Sequence, residues 1–169
     1  PVRLRLKGSW DEGRGIALFL VPVATPMEAR LAEWTVETLA GGESGVLVRR
    51  LRNELGLVHN LDGFLYGMGP VALLGFSWLA DSRHLAEAEA EFFRVLDPDG
   101  SNLPGAKDLE RGWDRCRFQR MRTCQSVEGW VAQSAEEFMA FGGPHRTEED
   151  PIHGPTPEME KWRAYLGES

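Results

Sequence analysis

Leu39-Ala40-Gly41-Gly42-Glu43-Ser44-Gly45-Val46-Leu47-Val48-Arg49-Arg50-Leu51-Arg52-Asn53-Glu54-Leu55-Gly56-Leu57 is the stretch on which the reading of this chain turns. Gly41 and Gly42 end the helix before them, because glycine costs about 1 kcal/mol relative to alanine in a helix interior. Leu47, Leu51 and Leu55 then recur at the spacing of one helical face, so an amphipathic helix is expected from about Ser44 to Glu54. Gly56 stops it, as a glycine in the left-handed region commonly does. The Gly-rich turn lacks the Lys and the preceding strand of a phosphate cradle, so it reads as a helix-to-helix connection.

Upstream, residues 14–23 read as a strand. Ile16, Ala17, Leu18, Phe19, Leu20 and Val21 show no polar face, which predicts a strand covered on both sides. Thr25-Pro26-Met27-Glu28 is a capping-box start: an N-cap Thr, Pro at the first helical position and Glu three residues after the cap. Met27, Leu31, Trp34 and Leu39 carry that helix to Gly41-Gly42.

Downstream, Leu57 to Gly67 and Pro70 to Ala80 are extended runs around a hairpin turn at Gly67-Met68-Gly69. In the first, Leu57, His59, Leu61 and Leu65 share a face opposite Val58, Asn60, Asp62 and Tyr66; in the second, Leu73 and Leu79 oppose Leu74, Phe76 and Trp78. Asp81-Ser82 is expected to cap a helix running to Val95, with a turn at Asp97-Pro98-Asp99-Gly100. Further helices are expected at about 106–123, 126–141 and 156–166, and Gly142 to Pro155 as a surface connection. The order strand, helix, helix, hairpin, then helices predicts an α+β fold: an antiparallel-containing sheet with helices packed on one face.

The 169 residues suit a single domain spanning 1–169. A net charge of −7 opposes nucleic-acid binding, which needs clustered Lys and Arg to displace counterions. Arg111, Arg115, Arg117, Arg120 and Arg122 crowd one predicted helix, but they do not share a face, and Glu110 and Asp114 interleave with them. The longest apolar run, Ile16 to Ala24, carries Pro22 and is too short for a spanning helix, which needs about 20 residues. No membrane partner is expected. Nothing at the start reads as a secretory signal, so a cytoplasmic location is expected. The chain opens at Pro1 without an initiator Met, which points to a fragment or processed product. Cys116 and Cys124 stand eight residues apart, or about 12 Å along a helix, so buried free thiols are expected rather than a disulfide.

The 39–57 segment resembles, without a gap, part of the C-terminal repeat of the insulinase, or mitochondrial-processing-peptidase, family of zinc peptidases. In that family a Gly-rich turn and a Ser precede an amphipathic helix, then an Arg, then Gly-Leu entering a strand. The resemblance runs over roughly residues 12–166. It takes in the apolar strand, the hairpin from Phe64-Leu65 to Gly75, the Glu87-Ala88-Glu89 helix, Ser126 opening a later helix and Phe141-Gly142-Gly143-Pro144 ending it. It implies a processing-peptidase-like metallohydrolase half-domain.

In such peptidases one half holds zinc through an inverted H-x-x-E-H helix motif; the other contributes substrate contacts and no zinc ligand. The motif is absent here, since His84-Leu85-Ala86-Glu87-Ala88 has Ala where the second His must sit. No cofactor is therefore expected in this chain, zinc is expected in a partner half or subunit, and the substrate is expected to be a peptide. A lone half is expected to expose an apolar face and to form a homo- or hetero-oligomer.

The resemblance also implies two substrate-binding positions. An Arg at the end of the helix falls at Arg52, and the place of a substrate-contacting Tyr seven residues on is taken by His59. A guanidinium offers fixed donors and charge to a developing oxyanion, though Glu54 or Asp62 could hold Arg52 in a structural ion pair instead. His59 reads either as a donor replacing the phenol or as a plain strand residue. Val46 stands where the family commonly has Arg. His145 and His153, with Glu148, Glu149 and Asp150, read as a solvated charge run rather than a metal loop. No G-x-S-x-G elbow, P-loop or Rossmann pattern is present. Two functions follow: a substrate-positioning half of a zinc peptidase, or a degenerate relative that binds peptide or acts as a scaffold without hydrolysis.

Overall fold

The structure, a computed structural model, describes residues 11–97, 103–141 and 162. It runs β1 (Glu12–Pro22), α1 (Pro26–Ala40), a 3-10 turn (Gly42–Ser44), a π-helical segment (Val48–Glu54), β2 (Asn60–Met68), β3 (Val71–Asp81), α2 (Leu85–Leu96), α3 (Ala106–Thr123) and α4 (Val127–Phe141).

The expected start of α1 is present in full. Thr25 Oγ1 accepts from the Glu28 amide at 3.2 Å, and the Glu28 carboxylate accepts from the Thr25 amide at 2.8 Å. The helix before Arg52 differs from expectation. After a short 3-10 turn the segment winds as a π-helix, with Leu55 N–H donating to the Arg50 carbonyl at 3.2 Å, five residues back. Gly56, at φ +63, then lets Leu57 N–H reach the Leu51 carbonyl at 2.8 Å. The hairpin turn falls at Gly69-Pro70, slightly later than expected, with Gly69 at φ +75. Asp81 ends β3 rather than capping a helix, and α2 begins after His84, which makes no side-chain cap. The expected turn at 97–100, the loop at 142–155 and the 156–166 helix, Trp162 excepted, lie outside the described residues.

β3 pairs antiparallel with both β1 and β2, giving the order β1-β3-β2. The register puts Ala17, Phe19 and Val21 of β1, Leu74, Phe76 and Trp78 of β3, and Leu61 and Leu65 of β2 on one face. Helices cover that face. Phe92 of α2 stacks on Trp78 with ring centroids 4.9 Å apart and leans on Phe76 at 5.5 Å. A Cβ on Gly15 would fall 2.1 Å from the Trp78 indole, so only glycine lets that ring lie against β1.

Behind the sheet, α1 and α3 pack through aromatic rings. Trp34 meets Trp113 edge-on at 5.5 Å and donates to the Leu109 carbonyl at 2.7 Å. Trp162 donates to Thr35 Oγ1 at 3.0 Å, and Thr35 in turn donates to the Leu31 carbonyl at 2.7 Å. All three tryptophans are essentially inaccessible, and truncating a buried one to alanine costs about 3–5 kcal/mol.

The other sheet face corrects the sequence reading. Ile16, Leu18 and Leu20 are 57%, 53% and 63% exposed, and Tyr66 is 68% exposed, because no described element packs over them. Among the described residues, the apolar run of β1 has one face in the core and one face uncovered. Of the two cysteines, Cys116 is buried and Cys124 half-buried, and both are free.

Candidate functional site

Val46, Leu47, Val48 and Leu51 are buried, so one side of the π-helical segment is set in the core. Its arginines are thereby fixed in direction, and their shortest contacts go to different carboxylates, although Arg49 also lies 3.9 Å from the Glu54 that Arg50 holds. Arg49 donates to Asp108 at the start of α3 at 2.9 Å. Arg50 donates through Nε to Glu91 of α2 at 2.8 Å and through a terminal nitrogen to Glu54 at 2.9 Å. Arg52 donates to Glu43, in the 3-10 turn, at 2.7 Å.

These pairs differ in kind. Glu91 is 4% exposed and also accepts from Arg94, so Arg50 joins the segment to α2 through a buried carboxylate. The hydrogen bonds it donates to Glu54 and Glu91 hold the Arg50 guanidinium above its already high value. Asp108 feels burial, which alone would raise its pKa; the Arg49 hydrogen bond and the Gly105 amide outweigh it and hold the carboxyl below the ordinary range. Arg49 and Arg50 are thus brackets between elements. Arg52 and Glu43 are both exposed, and such a pair contributes about 0–1 kcal/mol.

The expected structural partners of Arg52 are engaged elsewhere: Glu54 with Arg50, and Asp62 with Asn60 at 2.6 Å. Glu43 was missed as its partner because nine residues and a glycine turn separate the two. Val46, at the place where the resemblance commonly has Arg, points into the core at 5% exposure.

His59 sits just before β2, its amide donating to the Leu79 carbonyl at 2.7 Å. Its Nε2 lies 3.2 Å from Asp81 Oδ1, and Arg83 donates to the other Asp81 oxygen at 3.2 Å. These two contacts, His59 first, hold the Asp81 carboxyl below its usual value. Asp81 escaped the sequence reading because it was assigned to a helix cap. Arg52 and His59 therefore flank the same helix-to-strand connection, but each has its own carboxylate and they share no partner.

A groove of about 360 Å³ lies between α1, β2 and α3, lined by Val36, Leu65, Cys116, Gln119 and Thr123 among others; neither Arg52 nor His59 lines it. Burial, and to a smaller extent the Glu33 and Glu37 carboxylates, push the Cys116 thiol far above its ordinary pKa, so it is no nucleophile. On α3, Arg115 is held by Glu37 at 3.1 Å, while Arg111 and Arg117 lie 4.0 Å from Asp108 and Asp114. Among the described residues no group of three or more His, Cys, Asp or Glu is placed to hold a metal ion, and no helix is long and apolar enough to cross a membrane. His145 and His153 lie outside the described residues.

No protein-family profile matches the sequence, and no curated protein does. Solved structures match the fold. A chain of complex III2 from Candida albicans, bound to Inz-5, superposes with a TM-score of 0.72 at 10% identity, covering 96% of this chain and 41% of that one. A peptidase M16 inactive domain from Pseudomonas fluorescens gives 0.63 at 14% identity, covering 92% and 38%. The periplasmic protease PqqL from Escherichia coli gives 0.64 at 12% identity, covering 94% and 18%. The chain spans about two-fifths or less of each neighbour. The fold is therefore that of an M16 peptidase-like half-domain, with a small antiparallel sheet and helices on one face, as the resemblance in the sequence implied.

Proposed function

We propose that this chain is the non-catalytic, substrate-positioning half or subunit of a zinc peptidase acting on peptides, with zinc supplied by another domain or subunit. Arg52 carries the reading. Its neighbours Arg49 and Arg50 are committed to α3 and α2, which fixes the segment, while among the described residues Arg52 is held by an exposed carboxylate that a ligand can displace. A guanidinium on a rigid stage suits a peptide carbonyl, whose oxygen gains negative charge as it is attacked. His59, oriented by Asp81, would add an N–H donor on the same connection. The likeness to an M16 inactive domain supports a non-catalytic role, and the missing inverted zinc motif agrees with it. A cytoplasmic location belongs to the same proposal; two unpaired cysteines support it.

The test is peptide turnover by this chain together with its zinc-bearing partner. Arg52→Ala should lower kcat/KM at least tenfold, about 1.4 kcal/mol of transition-state stabilisation. Unchanged turnover would sink the role.

One observation favours a second reading, a peptide-binding or scaffold subunit without hydrolysis. Glu43 already neutralises Arg52, as a site relieved of catalytic duty can tolerate. Peptide binding with no hydrolysis, after a partner shown to bind zinc is added, would select it.

A further inference from the structure

The buried stripe of α2 is Ala88, Glu91, Phe92 and Val95, the spacing of a core-facing helix. Three of the four are apolar and one is charged. Glu91 is 4% exposed, so its carboxylate has lost most of its hydration, and a buried ion pair is often no more stable than apolar residues of the same volume. Packing alone does not call for a charge at this place. What a carboxylate adds is direction.

Each oxygen of Glu91 meets a guanidinium: Oε1 accepts from Arg50 Nε at 2.8 Å, and Oε2 accepts from Arg94. Arg50 then reaches Glu54 with a terminal nitrogen at 2.9 Å. The donors of a guanidinium are fixed relative to one another, so the line from Glu91 through Arg50 to Glu54 has one geometry. Arg50 thereby holds the same turn twice. Its side chain takes Glu54, and its carbonyl accepts from the Leu55 amide at 3.2 Å, five residues on. The Leu51 carbonyl, which an α-helix would offer to Leu55, is taken by the Leu57 amide at 2.8 Å. Arg52 lies inside this turn. Such π-winding is rare and recurs at functional sites.

We infer that Glu91 is a positioning residue for Arg52: acting through Arg50, it holds the π-turn that sets where the Arg52 guanidinium stands. α2 is itself seated by the Phe92 ring, stacked on Trp78 at 4.9 Å. The sheet, α2, Glu91, Arg50 and the turn form one line of fixed contacts that ends at Arg52. The effect on turnover rests on the proposed role of Arg52; the effect on the turn does not.

Two variants test it, with circular dichroism confirming that each folds. Glu91→Gln keeps the size and removes the charge. Arg50→Met combined with Glu91→Met replaces the pair by apolar chains, and the side chains left behind, Arg94 at 62% and Glu54 at 47% exposure, can take water instead. This double variant should match or exceed the wild-type urea midpoint, as apolar replacements of buried pairs often do. Its Leu55 amide should nevertheless exchange with deuterium at least about tenfold faster, read by NMR. Turnover of a mixture of internally quenched peptides, by the chain with its zinc-bearing partner, should fall about two- to tenfold in kcat/KM, and adding Arg52→Ala should then cost less than it does in the wild-type background. Glu91→Gln should show both changes in smaller degree.

Wild-type protection of the Leu55 amide in both variants overturns the inference. So does a turnover loss that multiplies in full with that of Arg52→Ala, because the two groups then act separately. A urea midpoint that falls in step with the faster exchange overturns it too, since Glu91 is then a plain stability tie. If Arg52→Ala leaves turnover unchanged, or nothing is cleaved, the proposed function fails, while faster Leu55 exchange at an undiminished midpoint still supports the positioning.

Discussion

Arg52 donates to Glu43 at 2.7 Å across the turn that joins α1 to the π-helical segment, and both side chains lie in solvent. A pair so exposed adds little to stability, so Arg52→Ala and Glu43→Gln should each shift the unfolding free energy by less than about 0.5 kcal/mol. Their effects on peptide binding should diverge. Removing the guanidinium should weaken binding, and removing the competing carboxylate should strengthen it several-fold. Fluorescence titration of a labelled peptide against both variants checks this, and parallel changes would show that the pair acts only as a structural tie.

Gly112 of α3 lies directly against Thr38 of α1. A Cβ there would sit 2.1 Å from Thr38 Oγ1 and 2.9 Å from its Cα, so part of the obstacle is backbone and cannot swing away. Alanine would gain up to about 1 kcal/mol of helix propensity. Prying the two helices apart costs about 1–3 kcal/mol and also disturbs the Trp34–Trp113 contact beside it. Gly112→Ala should therefore destabilise by about 1–2 kcal/mol in urea unfolding.

Asp81 supplies an acid-sensitive tie between the end of β3 and the start of β2. Its carboxyl is held below the ordinary range, first by His59 and then by Arg83. A depressed pKa means that the stabilisation is fully present above the unfolded value, about 3.9, and is lost as pH falls through the lower folded value. Asp81→Asn should flatten the pH dependence of stability in that acid window. Denaturation midpoints measured between about pH 2 and pH 7 would show it.

Cys116 should resist alkylation in the native protein. Its thiol is buried and its pKa is pushed far up, so almost no thiolate forms near pH 8, whereas Cys124 is half-buried at the end of α3. Iodoacetamide at pH 8 followed by peptide mass spectrometry should find Cys124 modified first, and Cys116 only after unfolding. Equal rates would mean that α3 opens from α1 readily.

Particular residues show where the sequence was legible. Thr25 and Glu28 specify the start of α1 because both halves of the cap lie within one turn, and no distant group can change that. The Gly69-Pro70 turn set β2 against β3 for the same reason, although its centre fell slightly later than read. The helix before Arg52 was right in place and wrong in winding. Leu47 and Leu51 fit a π-helix as well as an α-helix over so few residues, and the ties from Arg49 to Asp108 and Arg50 to Glu91 join residues far apart in the chain.

The sequence by itself determined the order of elements, the inward stripe of α1 and the alternation of β3, since each rests on interactions between residues a few positions apart. Only the tertiary structure decided which carboxylate holds each arginine and which face of β1 is covered. An apolar strand face has the same sequence whether its cover comes from helices of the same chain or from elsewhere, because hydrophobic burial is non-directional and names no partner. Ile16, Leu18 and Leu20 announced that they would be buried; the fold shows that the described part of this chain does not bury them.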